Sequence, residues 1–222
     1  MTRPAPRRDY LVVEGPIGVG KTSLARRLAR TLGSELLLEG AEENPFLERF
    51  YRNPREAALP TQLYFLFQRA RQIQALRQGD IFRPVRVADF LIEKDRLFAG
   101  LTLDDEEFKL YEQVYGHLTI DAPVPDLVIY LQAPAEVLRD RIRARGIPYE
   151  QIIEADYLNR VVDAYAQFFH YYDASPLLIV NASEIDPVGN DPDYQALVER
   201  IQGIYSGRHY FNPLPAALPA AL

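Results

Sequence analysis

"DYLVVEGPIGVGKTSLARRLA", residues 9–29, joins a short apolar run, a glycine-rich turn ending in Lys-Thr, and the start of a helix. Gly15, Gly20, Lys21 and Thr22 satisfy G-x-x-x-x-G-K-[ST] with a strand before and a helix after, the context this motif requires. Its chemistry follows from backbone geometry. The loop Gly15, Pro16, Ile17, Gly18, Val19, Gly20, Lys21, Thr22 and Ser23 turns main-chain N–H groups inward onto phosphate oxygens, and the helix N-terminus adds positive potential. Lys21 reaches the terminal phosphates and the Thr22 hydroxyl suits Mg²⁺. The expected ligands are a nucleoside triphosphate and Mg²⁺. GTPases, ATPase motors, transporters and small-molecule kinases share such a loop, so the reaction stays open at this point.

The chain has 222 residues, 48% of them hydrophobic, enough for one good core and a small lid but not for two large domains. With 31 acidic against 25 basic residues the net charge is −6, which disfavours a nucleic-acid binder and points to a small-molecule partner. Cysteine is absent and there are only three histidines, so disulfides, thiolate chemistry and a zinc site are not expected. The start, "MTRPAPRRDY", carries basic residues but no apolar signal core, and no run approaches the roughly 18 apolar residues of a membrane helix. A soluble, cytoplasmic protein without membrane contact is expected.

Five strand-length apolar runs punctuate the chain: "YLVVE" (10–14), "ELLLE" (35–39), "VRVAD" (85–89), "LVIYLQ" (127–132) and "LLIVN" (177–181). Helical patterns lie between them over 61–80, 104–118, 134–146, 156–172 and 193–205, the first stopping at Gly79 and the third running from Pro134 to Gly146. Strands alternating with helices predict an α/β fold with a five-stranded parallel sheet flanked by helices. Residues 1–209 read as one domain, and 210–222, "YFNPLPAALPAAL", as a Pro/Ala-rich tail.

In such a sheet, ligands sit beyond the carboxyl ends of the strands. Glu39 closes the second run and Asp89 the third; either can take a proton from an attacking hydroxyl or hold a metal. Arg141, Arg143 and Arg145 crowd the segment "DRIRARGIPYEQ". Arg141 and Arg145, four apart, share a face and can close over a moving phosphoryl group, although an arginine-rich helix end also simply suits the helix dipole.

Five ordered blocks settle the comparison with known families: "EGPIGVGKTSLARRLA", "EENPFLERFYRNP", "VADFLIEKDRLFA", "PDLVIYLQAPAEVLRDRIRARG" and "YEQIIEADYLNRVVDAYAQFF". In order and spacing they resemble the bacterial deoxyadenosine/deoxyguanosine kinases of the deoxynucleoside kinase family. The resemblance implies a P-loop nucleotide-kinase fold with an arginine-bearing lid at about 141–152, acting usually as a dimer. It implies transfer of the γ-phosphoryl of ATP to the 5′-hydroxyl of a deoxynucleoside. It places Glu39 as the general base and Asp89 near the metal, Tyr51 and Glu150 at the 3′-hydroxyl, and Gln62, Arg69 and Asp95 at the base edge. Gln62 and Arg69, seven apart on one predicted helix, do share a face. An arginine with an aspartate suits a base bearing an amino group, as adenine, guanine or cytosine has and thymine lacks. The likeness of "ENPFL" and "YEQ" to the bacterial members implies deoxypurines among these.

Three positions depart from the family's pattern. Phe90 stands where many members carry the arginine of Asp/Glu-Arg-Ser, and Ile147 replaces the second arginine of a common Arg-Gly-Arg turn. Catalytic charge is then expected to rest on Lys21, Mg²⁺, Arg141 and Arg145. In "NASEIDPVGNDPDY", which resembles the loop at the donor's adenine, Asp186 matches but Pro187 replaces a more usual apolar residue. A nucleoside monophosphate kinase, or a GTPase-like binding module, are the alternatives; the first needs acceptor-side arginines and the second an Asn-Lys-x-Asp segment. A homodimer, or a heterodimer with a related subunit, fits the resemblance.

Overall fold

The computed structural model of the protein describes residues 9–78, 86–118 and 122–212. Val85, Gly79 and the part of the tail beyond Asn212 lie outside these residues.

Six strands form one parallel sheet: β1 (Tyr10–Glu14), β2 (Glu35–Leu37), β3 (Arg86–Ala88), β4 (Leu127–Gln132), β5 (Leu177–Asn181) and β6 (Arg208–Phe211), in the order β2-β3-β1-β4-β5-β6. Val12 of β1 is registered against Ala88 on one side and Val128 on the other. The expectation of five strands is therefore corrected to six. β6, "RHYF", pairs with β5 alone, and its Arg208 and Tyr210 are exposed, so it lacks the apolar run by which buried strands announce themselves. It takes Tyr210 and Phe211 out of the stretch read as tail.

The runs of β1, β3, β4 and β5 are mostly apolar because both faces of the sheet are covered there, while β2 lies at an edge. Leu11, Val13, Ile129 and Val180 pack on one side with Leu24 and Leu28 of α1 (Lys21–Leu32), while Val12, Val128 and Tyr130 pack on the other. Full burial of each such side chain contributes about 1.5–3 kcal/mol. The remaining helices are α2 (Leu47–Arg52), α3 (Pro54–Gln78), α4 (Lys94–Thr102), α5 (Asp105–His117), α6 (Ala135–Arg145), α7 (Ala155–Tyr171) and α8 (Asp191–Gln202). α6 and α8 join α1 on the first face through Leu138, Ile142 and Leu197; Val161, Tyr165 and Phe169 of α7 cover the second.

Most helix ends follow their local signals. Asp104 and Glu107 form a capping box at α5, Asn190 caps α8, and Gly146 ends α6 in the left-handed conformation. α3 differs from the sequence expectation: it begins at Pro54 and runs through Pro60, because the buried Ala57 and Ala58 pack that first stretch against Leu47 and Phe50. The packing offsets the one main-chain hydrogen bond a proline removes.

Where β1 ends, the chain must turn sharply between strand and helix. Gly15 has φ 148°, and a Cβ there would lie 2.3 Å from the Leu131 carbonyl oxygen; at Gly18, φ 82°, it would lie 2.9 Å from the Leu138 carbonyl. The turn is thus pressed onto β4 and α6 at two points only glycine tolerates. Gly15→Ala is expected to lower the melting temperature and to abolish the further rise that ATP gives the native chain. A full ATP-induced rise in a thermal melt would disprove the close approach.

Candidate active site

The carboxyl ends of β1 and β3 meet at one cavity of about 500 Å³, roofed by α2, α3 and the segment after α6. Ile17, Gly18, Gly20, Lys21, Thr22 and Ser23 form its floor on the cradle side. Lys21 stands at the start of α1, its Nζ 3.3 Å from the Pro16 carbonyl oxygen. Burial, helped by the nearby Lys94 ammonium, lowers its pKa to about 8. A bound polyphosphate would supply the negative charge this site is short of.

Two carboxylates join the floor to the acceptor side. Asp89, just past β3, accepts a hydrogen bond from the Thr22 hydroxyl at 2.5 Å through Oδ2 and from the Glu39 backbone N–H at 2.7 Å through Oδ1. A hydroxyl and a carboxylate oxygen this close form a hard-oxygen pair that fits Mg²⁺. The Glu39 carboxylate is gripped by two cations: Lys94 Nζ lies 3.1 and 3.2 Å from its two oxygens, and Arg69 bonds Oε1.

Arg69 comes from the middle of α3, buried, with Phe65 at 5.0 Å and Phe90 at 5.9 Å from its guanidinium. Burial lowers its pKa to about 10, against the pull of surrounding acids such as Glu14. Its other arm pairs with Asp95 at the head of α4. Asp95 is itself buried and does not line the cavity, so it meets the site only through Arg69. Gln62 lies two turns earlier on the same wall, its amide donating to the Thr102 hydroxyl at 3.2 Å.

Tyr51 and Glu150 also line the cavity. Tyr51 stacks on Tyr149 at 6.3 Å, and burial raises its pKa well above the ordinary value. Glu150 follows α6 in a short 3₁₀ turn and accepts a 2.5 Å hydrogen bond from Arg145 Nη2. Burial raises its pKa, while Arg145 pulls it back down.

Not every candidate residue reaches the cavity wall. Arg141 points away along the back of the cradle, donating to the carbonyls of Val19 at 3.3 Å and Ala182 at 2.6 Å. The Asp186 carboxylate accepts from the N–H groups of Val188 and Gly189, and so shapes its own loop. Gly15, Pro16 and Val19 build the turn from behind.

Two residues outside the sequence reading complete the site, Glu14 and Lys94. Glu14 is fully buried and accepts from the N–H groups of Gly15 (2.7 Å) and Leu91 (3.0 Å) and from the Tyr165 hydroxyl (3.0 Å). Its remaining partner is Lys94 Nζ at 3.2 Å. Attention to residues that close a strand would have found Glu14, which closes β1 as Glu39 and Asp89 follow β2 and β3. Lys94 had only its place beside Asp95 as a signal.

An acceptor phosphate needs guanidiniums on the acceptor side; of those lining the cavity, Arg69 already holds two carboxylates and Arg145 a third, while Arg26 stands on α1 beside the cradle. The wall of hydroxyl, amide and carboxylate groups suits a neutral acceptor with hydroxyls and a base. No helix among the described residues is long and apolar enough to cross a membrane.

Comparisons with known proteins agree with this geometry. A deoxyguanosine kinase of Bacillus subtilis is 33% identical over 202 residues, 87% of this chain and 96% of that protein. A deoxyadenosine kinase of Lactobacillus acidophilus is 32% identical over 197 residues, 82% of this chain and 89% of its own. Among solved structures, a deoxyadenosine kinase from M. mycoides with bound dATP superposes with a TM-score of 0.75 at 22% identity, covering 86% of this chain and 98% of that one, and so shares the fold. The family model for deoxynucleoside kinases matches residues 11–206, which takes in β2 to β5, all of β1 but Tyr10, and every residue lining the cavity. The chain belongs to the deoxynucleoside kinase family.

Proposed function

We propose that this kinase moves the γ-phosphoryl of ATP to the 5′-hydroxyl of a deoxypurine nucleoside, with Glu39 receiving the hydroxyl proton. The observation that carries the reading is that Lys21 and Glu39 line one continuous cavity. The 5′-oxygen bonds to the γ-phosphorus as the bond from phosphorus to the β,γ-bridging oxygen breaks; the proton passes to Glu39 and ADP leaves.

Lys21 and the N–H groups at the head of α1 hold the triphosphate, and Arg145 adds positive charge where the phosphoryl group passes. Thr22 and Asp89 would hold Mg²⁺, which when bound spreads the negative charge of the terminal phosphates. Tyr51 and Glu150 are suited to the 3′-hydroxyl, one as donor and the other as acceptor. Gln62 and Arg69, the latter braced by Asp95, face the base. Arg141 and Asp186 shape the donor end, consistent with their bonds to the carbonyls and N–H groups around the cradle. We place the reaction in the cytoplasm. Self-association, as a homodimer or with a related subunit, belongs to this reading through the likeness to the deoxynucleoside kinase family.

Deoxypurine preference rests on the names of the relatives, kinases of deoxyguanosine and deoxyadenosine, and on the donor and acceptor groups along α3. A phosphorylation assay with ATP and Mg²⁺ against the four natural deoxynucleosides tests it. Deoxyguanosine or deoxyadenosine is expected to give the highest kcat/KM; thymidine as the best substrate would overturn the reading of Arg69 and Asp95.

A further inference from the structure

The Phe90 position leaves a charge to be accounted for. Its ring is fully buried in the core on the α7 side of the sheet and offers no cation to the acceptor end. Yet a carboxylate that must receive a proton from a hydroxyl has to be held at a fixed point, and Glu39 stands in a loop beyond a strand of only three residues. Lys94, four positions past Phe90, reaches it.

We infer that Lys94 supplies the cation missing at position 90 and acts as a positioning residue, fixing the Glu39 carboxylate toward the acceptor hydroxyl. An ammonium has three N–H donors. Here three carboxylate oxygens lie within reach: Glu39 Oε1 at 3.1 Å, Glu39 Oε2 at 3.2 Å and Glu14 Oε1 at 3.2 Å. No donor is left over for substrate, so Lys94 acts through Glu39.

Glu14 gives the arrangement its rigidity. Gly15 N–H, Leu91 N–H and the Tyr165 hydroxyl pin its carboxylate, tying Lys94 to the same turn that begins the phosphate cradle. The base on the acceptor side is therefore registered against the donor side through two buried ion pairs. When Glu39 takes the proton, Lys94 keeps Glu14 as its counter-charge, so no buried ammonium is stranded. Arg69 from α3, Asp89 beyond β3 and Lys21 of α1 complete the charged surroundings of Lys94. Burial holds its pKa at about 8, so it is mostly charged at neutral pH.

This inference rests on the assignment of Glu39 as base, and the test separates the two. The sequence has no cysteine, so Lys94→Cys creates a single thiol that can be alkylated during refolding. Lys94→Cys is expected to lower kcat about a hundredfold, the scale of a misplaced catalytic group, with KM for ATP changed less than about threefold. Treatment with 2-bromoethylamine, which restores an amine at nearly the native length, should return at least about a tenth of native turnover; neutral iodoacetamide should return none. A second variant, Lys94→Met with Glu14→Gln, removes the Glu14 pair without stranding a charge. It should melt as a folded protein and still turn over slowly.

Turnover of Lys94→Cys within about threefold of native, equal rescue by the neutral reagent, or native turnover in the paired variant would each overturn the inference, the last by showing that Lys94 merely neutralises Glu14. If Lys94→Cys fails to fold, the paired variant decides. Full activity of Glu39→Gln would withdraw the base assignment and this inference together, whereas an inactive Glu39→Gln beside a fully active Lys94→Cys removes only the latter.

Discussion

Glu39→Gln lowers kcat about a thousandfold while leaving the ATP-induced rise in melting temperature in place, within the range a positioned general base contributes. The substitution keeps the shape of the side chain and removes its capacity to hold the proton of the 5′-hydroxyl. It should also leave the fold nearly untouched, for a reason the site makes specific. Both cations that grip Glu39 have a second partner: Lys94 keeps Glu14 and Arg69 keeps Asp95. Neither becomes an unpaired buried charge, the condition that makes most buried charge removals severe. The measurement is single-turnover phosphorylation together with a thermal melt with and without ATP. Turnover within about tenfold of native would remove Glu39 from the proton transfer, since a base contributes at least about a hundredfold.

That the variant can be designed at all reflects how much of this site is written in local sequence. The cradle is legible because its geometry is made by consecutive residues: strand, glycine turn, Lys21, Thr22. Glu39 and Asp89 are legible at one remove, since a parallel sheet delivers its strand ends to one side and both acids follow strands. Gln62 and Arg69 share a helical face, yet only the resemblance to a known family singles them out among many polar residues on α3.

What stayed hidden depends on contacts between distant segments. Glu14 reads as an ordinary acid at the end of a strand; its complete burial and its four partners come from Gly15, Leu91, Lys94 and Tyr165, drawn from across the chain. Lys94 is on a nine-residue helix that the hydrophobic pattern did not single out, because α4 packs between α3 and α7 and exposes little of a polar face. Arg141 has contacts that its spacing does not reveal. Its spacing with Arg145 put both on one face, but Ala182 and Val19 offer it carbonyls behind the cradle, and a guanidinium bonded there does not face the cavity. β6 was missed for want of an apolar run: β2, the other edge strand, packs Leu36 and Leu37 against the core, whereas "RHYF" alternates exposed and half-buried residues.

The second large effect concerns the Arg69–Asp95 pair, where stability and selectivity separate. Arg69→Met strands the Asp95 carboxylate, whose side chain is 1% exposed, and should cost about 3–5 kcal/mol, the usual consequence of breaking a buried ion pair from one side. In a chain of this size that is a fall of about 6–20 °C in melting temperature. Adding Asp95→Leu removes the stranded charge, and most of the lost stability should return, because a buried pair replaced by apolar side chains is often close to neutral. Selectivity should not return with it. Without the guanidinium the pocket loses the donor pair that guanine's O6 and N7 can accept together, where thymine offers O4 beside a methyl group, so the ratio of kcat/KM for deoxyguanosine over thymidine should fall about a hundredfold or more in both variants. A thermal melt and competition between the two nucleosides measure the two effects on the same samples. A single variant melting within about 2 °C of native would deny that the pair is buried and coupled; a double variant that recovers both stability and the purine preference would assign base recognition to Gln62 and the pocket's shape rather than to Arg69.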